Sequence, residues 1–230
     1  MIRDNSQRAK NVILLFWIFF GLTIISIGSS FLERNLLLRA VDGNITTDEA
    51  DSNDLRQRII GISELLVHVI VIVYFIMWFR RAYFNLHSLG FYLRYTEGWA
   101  AGAWFVPFMN LHAPFKIMKE IWDNTQVRAQ QGSEDIALKP STLLGVWWFL
   151  WIVTNIAGNI YSRLALRGEH SISDLISLNT TSIVLDVIDL ANVFIIITII
   201  QQVNGFEEQL KQKLVIENIA AEEPTPAAQN

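Results

Sequence analysis

GWAAGAWFVPFMNLHAPFKIMKEIW, residues 98–122, lies midway between two pairs of long apolar runs. It carries three tryptophans, two prolines and a Pro-x-x-Asn-Leu-x-x-Pro spacing from Pro107 to Pro114. Its apolar part, Trp99 to Met109, would reach only about 16 Å as a helix at ~1.5 Å per residue. That is too short for a hydrocarbon core of ~30 Å, so residues 99–109 are expected to re-enter the bilayer or to lie along its surface. From Pro114, placed as a first helical residue, Phe115, Met118, Ile121, Trp122 and Thr125 fall on one face. Lys116, Lys119, Glu120 and Asp123 lie elsewhere, which predicts an amphipathic helix with lysines snorkelling beside headgroups.

Outward from this centre the class becomes plain. Of the residues, 52% are apolar and 17% charged, against about 25% charged in soluble domains. The apolar residues fall in four blocks, about 12–32, 59–79, 143–161 and 182–203. Blocks this long read as spanning helices, so residues 1–205 are taken as one membrane domain. The fold class expected is all-α: a four-span transmembrane helical bundle with a cytoplasmic-side interfacial or re-entrant amphipathic segment. The first run is too long for a signal core and lacks an Ala-x-Ala site, so it is read as an uncleaved span. There is no cysteine, which removes disulfides, thiolate metal sites and thiol nucleophiles. No long basic run argues for nucleic acid.

Local signals set the ends. The first helix is expected to continue to an Asp42-Gly43-Asn44 turn, and Thr46-x-x-Glu49 reads as a capping box opening the second. The second runs through Arg80 and Arg81 with nothing to stop it before Gly90. Ser171-x-x-Asp174 offers a second capping pair ahead of the last span. Beyond Gly205 a short charged helix and a disordered tail are expected over 206–230. Putting both termini and the middle segment on one side collects 12 of the 18 Lys and Arg there, so that side is expected to be the cytoplasm.

With the middle laid out, the chain resembles an uncharacterised bacterial membrane family, the domain of unknown function DUF4328. Arg81-Ala82-Tyr83, Asn85-Leu86, Leu89-Gly90, Gly98-Trp99, Gly102, Trp104-Phe105, Pro107, Asn110-Leu111, Pro114 and Glu120-Ile121-Trp122 carry the resemblance, with Trp147-Trp148 further on. It covers about residues 60–205. It implies an integral membrane protein with a few spanning helices, and no activity.

Polar residues interrupt the spans. Glu64 and His68 are one turn apart, as are Asn155 and Asn159, while Asp186, Asp189 and Asn192 form a stripe. Depths of about 5–14 Å, at ~1.5 Å per residue, place all of them in the same outer half. Thr23, Ser26 and Ser30 of the first span are at that level too. A carboxylate near a span centre costs roughly 2.5–3.5 kcal/mol, so these groups are expected to face one another in a bundle. Two readings stay open: a site for a proton, a cation or a small polar ligand, and a hydrogen-bonded polar core that sets helix register. No metal-ligand motif is present, and His87, His112 and His170 read as surface residues. Asp186-x-x-Asp189 lacks the continuation of lipid-headgroup phosphotransferases. No Gly-x-Ser-x-Gly, His-Glu-x-x-His or phosphate loop occurs. No catalytic residue, cofactor or metal is therefore assigned.

The interfacial platform comprises Trp99, Trp104, Phe105, Pro107, Asn110, Pro114, Lys116, Lys119 and Trp122. Its aromatic residues suit contact with lipid or with a protein partner. The function expected is a non-catalytic scaffold or accessory subunit in the cell membrane. The rival is a proton- or cation-coupled transport or sensing module.

Overall fold

The computed structural model describes residues 2–132, 138–168 and 170–222. Its elements are α1 (Ser6–Val41), α2 (Thr47–Ser88), α3 (Trp99–Gly102), a 3-10 turn (Met109–Leu111), α4 (Ala113–Gln130), α5 (Thr142–Ala165) and α6 (Ile172–Glu222). No strand occurs among the described residues. Four of these helices are long and apolar enough to cross a membrane, and their most apolar windows are only 11% to 28% buried. Leu65, Leu66 and Ile25 are 63%, 60% and 57% exposed. So large an outward apolar surface suits hydrocarbon and not water.

The helix ends follow the expected chemistry. Thr46 N–H donates to Glu49 Oε2 at 2.9 Å, and Glu49 N–H donates back to Thr46 Oγ at 3.3 Å. This reciprocal box satisfies donors that a helix start leaves free. Ser171 and Asp174 repeat it at α6, at 3.0 and 3.2 Å. α2 ends before Gly90, whose φ of +80° is the left-handed conformation that lets Phe91 N–H reach back to Leu86 O at 3.4 Å.

Three expectations are corrected. Gly205 does not end a helix: α6 runs unbroken through it for 51 residues. A lone glycine costs only about 1 kcal/mol of propensity, and Val203, Phe206 and Leu210 on either side of it are buried. The charged segment after Gly205 is therefore the last part of α6. Residues 99–109 do not form one helix either. They make a single turn, α3, followed by irregular chain. Pro107 removes a backbone donor and disfavours helix at Val106, and Phe108 stands at φ +64°. Pro114 is the second residue of α4, one place later than its reading as the first. Residues 133–137 of the polar loop and 223–230 of the expected tail lie outside the described residues.

The chain packs as two compact units. One is Met1–Lys10, Ile76–Leu144 and Ile199–Asn230, here the motif unit. Its core includes Trp78, Phe79, Tyr83, Leu86, Ile117, Met118, Ile121 and Trp122, each at most 1% exposed. The Trp122 ring stands edge-on to Phe206 at 5.3 Å, and its Nε1 donates to Lys139 O at 3.1 Å. Gln126 brackets the same residue, its Oε1 accepting from Lys139 N–H at 2.7 Å. Tyr83 Oη donates to Glu120 Oε2 at 2.7 Å and accepts from Tyr95 N–H at 3.2 Å. Burial and Glu120 push the Tyr83 hydroxyl above its ordinary range, so it stays a donor. The apolar face of α4, expected against lipid, is thus buried in protein.

The other is Asn11–Phe75 and Gly145–Thr198, here the span unit. Phe75 stands 6.2 Å from Phe16 and 6.5 Å from Trp147. Trp148 and Trp151 stack at 4.6 Å.

The buried α4 face yields a direct test. Trp122→Ala is expected to cost about 3–5 kcal/mol, and Phe105→Ala about 0.5 kcal/mol or less, in reversible unfolding in mixed micelles. Comparable losses from the two would mean that Trp122 faces lipid after all.

Candidate functional site

In the span unit, Glu64 and His68 of α2 and Asp186 and Asp189 of α6 line one cavity of about 220 Å³ with Phe19, Thr23 and Leu65. Helical spacing explains the meeting: each pair lies on one face of its own helix, one turn apart. The His68 ring stands edge-on to Phe19 at 5.1 Å. Thr154 Oγ1 of α5 donates to Trp151 O of its own helix at 3.3 Å. Thr23 donates to Phe19 O of its own helix at 3.1 Å.

The other polar residues of the expected pocket go elsewhere. Asn155 donates to Trp151 O at 2.8 Å and Asn159 to Asn155 O at 2.9 Å. Both are exposed and turned onto their own helix backbone. Asn192 is buried but is not among the cavity lining. Among the described residues no three His, Asp or Glu groups stand close enough to hold a metal ion. Three carboxylates and one imidazole in a small cavity can hold a proton or a hydrated monovalent cation.

A second polar cluster in the span unit escaped the sequence reading. Glu33 of α1 accepts from Gln57 of α2 at 3.0 Å and from Asn179 of α6 at 2.8 Å. Asn179 also donates to Ser30 O at 2.9 Å, and Arg56 Nε to Ser29 Oγ at 2.9 Å. Arg34 bonds Thr180. The available signal was positional: Glu33 follows one apolar block, Gln57 precedes the next and Asn179 precedes the last. Being outside the blocks, they were passed over.

The platform residues divide in the motif unit. Pro114 and Trp122 are buried. Trp104 is half-buried with its ring 5.9 Å from Phe79. Lys119 is tied to Asp123 at 2.7 Å and to Ser141 at 3.1 Å, while Lys116 and Asn110 are half-buried. Trp99, Phe105 and Pro107 face outward, and Phe108 joins them at 81% exposure. His112 Nδ1 donates to Phe108 O at 2.9 Å, which holds the turn that presents Phe108. Of the remaining histidines, His87 packs edge-on to Tyr83 at 5.0 Å and is not a free surface group.

This arrangement defines an α-helical protein in which, among the described residues, four helices are long and apolar enough to cross a membrane. The family model for the domain of unknown function DUF4328 matches residues 42–205, and the chain belongs to that family. The match takes in the acidic loop from residue 42, beyond the region where the resemblance was read. No curated protein and no solved structure matches the chain.

The two groups of asparagines separate experimentally. Asn179→Ala, which removes one donor from Ser30 O and one from Glu33, is expected to cost about 1–3 kcal/mol. Asn155→Ala is expected to cost about 0.5 kcal/mol or less. Chemical denaturation of each variant in micelles measures both, and equal costs would return Asn155 to the core.

Proposed function

We propose that the chain is a multi-pass protein of a bacterial cytoplasmic (inner) membrane, with both termini in the cytoplasm. It acts there as a non-catalytic scaffold or accessory subunit whose 99–112 loop engages the lipid interface. The observation that carries this reading is the outward display of Phe105 and Phe108, 73% and 81% exposed, on a unit that buries Trp78, Phe79, Tyr83, Trp122 and Phe206 in its core. Burying a phenylalanine is favourable by about 1.5–3 kcal/mol. Phe108 also holds a left-handed backbone, φ +64°, at a cost of about 1–2 kcal/mol. A glycine would suit that turn better, so the ring itself is what the position supplies. The majority of Lys and Arg falls on the same side as this loop, which supports a cytoplasmic placement. Lys116 follows the loop closely enough in sequence to meet headgroups.

A second reading rests on the shared cavity of Glu64, His68, Asp186 and Asp189. In it the chain is a proton- or cation-coupled transport or sensing module, with ions held by those carboxylates.

The native sequence has no cysteine, so Phe108→Cys carries a single nitroxide label. In proteoliposomes the label is expected to collide more often with oxygen, which concentrates in lipid, than with a water-soluble nickel chelate. The opposite order would reject lipid engagement. For the second reading, reconstituted protein is expected to pass protons or monovalent cations, with Asp189→Asn abolishing the flux. An identical flux in that variant would sink it.

A further inference from the structure

The motif unit contains a cavity of about 510 Å³ among the N-terminal segment, the end of α2 and the later turns of α6. Arg3, Asp4, Asn5, Asn85, Glu207 and Lys211 supply its polar wall, and Leu89, Leu214 and Val215 an apolar one. Most of its polar groups are already committed. Asn85 Oδ1 accepts from Arg3 N–H at 2.9 Å, and Asn85 Nδ2 donates to Arg3 O at 2.9 Å and to Glu207 Oε1 at 3.1 Å. Lys211 pairs with Asp4 at 3.4 Å. The Arg3 guanidinium lies over the Phe84 ring at 4.2 Å.

Two acceptors remain short of donors. Asn5 Nδ2 donates to Glu207 Oε2 at 3.1 Å and to Trp78 O at 3.3 Å. Its Oδ1, on a side chain only 3% exposed, meets no donor. Glu207 has two amide donors and, among the described residues, no ion-pair partner. A buried acceptor left unmade costs about 1–3 kcal/mol, and the half-buried Glu207 carboxylate has, among the described residues, no counter-charge beside its amide donors.

We propose that this cavity binds a primary ammonium group, held by the Glu207 carboxylate and Asn5 Oδ1. An ammonium brings one positive charge and donors for both oxygens. A divalent metal would need a fuller shell of oxygen ligands, and no such cluster exists among the described residues. The apolar wall accommodates the alkyl chain that the ammonium carries. Free alkylamines and ethanolamine lipid headgroups share this chemistry. Glu207 lies beyond the 182–203 span, and burial, with Asp4 adding to it, pushes its carboxyl up to about 7. The other charged groups facing it are Arg3, Asp4, Glu208 and Lys211, of which Asp4 is held below its ordinary range by Ser6.

The test is titration calorimetry on the full chain in micelles with n-propylammonium and with tetramethylammonium, which has the charge but no N–H. Propylammonium is expected to bind and tetramethylammonium not to. Glu207→Gln is expected to weaken binding about tenfold or more, whereas Asp51→Asn, an exposed carboxylate that does not line this cavity, leaves it unchanged. Should Glu207→Gln fail to fold, the wild-type pH profile decides. Affinity is expected to fall as pH drops from about 8 to about 6, because Glu207 takes up a proton while the amine keeps its charge. Equal binding of the two cations, an unaltered affinity in folded Glu207→Gln, or a flat pH profile would each overturn the proposal. Thermal stabilisation by vesicles containing phosphatidylethanolamine but not by phosphatidylcholine alone assigns the lipid source. Stabilisation by the free amine alone assigns the soluble one.

Discussion

A tyrosine hydroxyl sunk to zero exposure must find a partner inside the protein, and Tyr83 finds Glu120. That one bond brings α4 to α2, and much of the motif unit follows from it. The other carboxylate oxygen of Glu120 accepts from Arg94 N–H at 3.1 Å, which fixes the link between the two helices. Arg80 and Glu97 pair at 3.0 Å along the same link. With α4 held there, Ile117, Met118, Ile121 and Trp122 close over the core, and Trp122 reaches Phe206 of α6 and the Lys139 carbonyl. Removing the hydroxyl would leave a carboxylate and a backbone donor short of a partner together, a cost unlike that of losing one surface contact.

The span unit is governed by a different constraint. Hydrocarbon offers no hydrogen bonds, so a polar side chain there is expected to bond its own helix or meet another polar group; Asn192, buried with its Oδ1 unpartnered, departs from this. Thr23, Ser63, Asn155, Asn159 and Thr198 take the first course, each donating to a carbonyl about one turn back. Glu64, Asp186 and Asp189, when ionised, cannot, because an ionised carboxylate only accepts and the backbone carbonyls only accept as well. Their gathering around one cavity is the alternative left to them. Glu33 escapes the same difficulty by lying at a block edge, where amide donors from Gln57 and Asn179 reach it.

Legibility in the sequence divides along these lines. Apolar blocks, capping boxes and the Gly90 stop are local signals whose physics acts within a few residues, and each appears where it was read. The meeting of Glu64 with Asp186 and Asp189 was legible as well, since depth and helical face together leave few partners. Asn155 and Asn159 were misassigned because spacing shows which face a residue occupies but not whether its amide turns back onto its own backbone. The orientation of α4 was missed for a related reason. An amphipathic face seeks apolar surroundings, and periodicity cannot distinguish lipid from Phe206 or Leu210. The Asn5–Glu207–Asn85 group was invisible because it joins the N-terminal segment, the end of α2 and the later part of α6, and no pattern within any one of them announces it.

The residues that carry the family resemblance fall mostly in the motif unit, and physical chemistry accounts for the difference in demand. A span asks chiefly for apolar side chains of sufficient length, which many sequences satisfy equally. The motif unit asks for particular atoms: a phenol at 83, a carboxylate at 120, an indole N–H at 122, an amide with both its ends in use at 85. None of these roles survives an exchange for another residue of similar hydropathy, because the partner would be left buried and unbonded. Phe105, Pro107 and Asn110-Leu111 belong to the same motif without serving that core, Phe105 being 73% exposed. Core packing explains Trp122 and leaves Phe105 unexplained. What the motif specifies is therefore a folded support together with the loop it displays, and the displayed loop is where contact with something outside the chain must be sought.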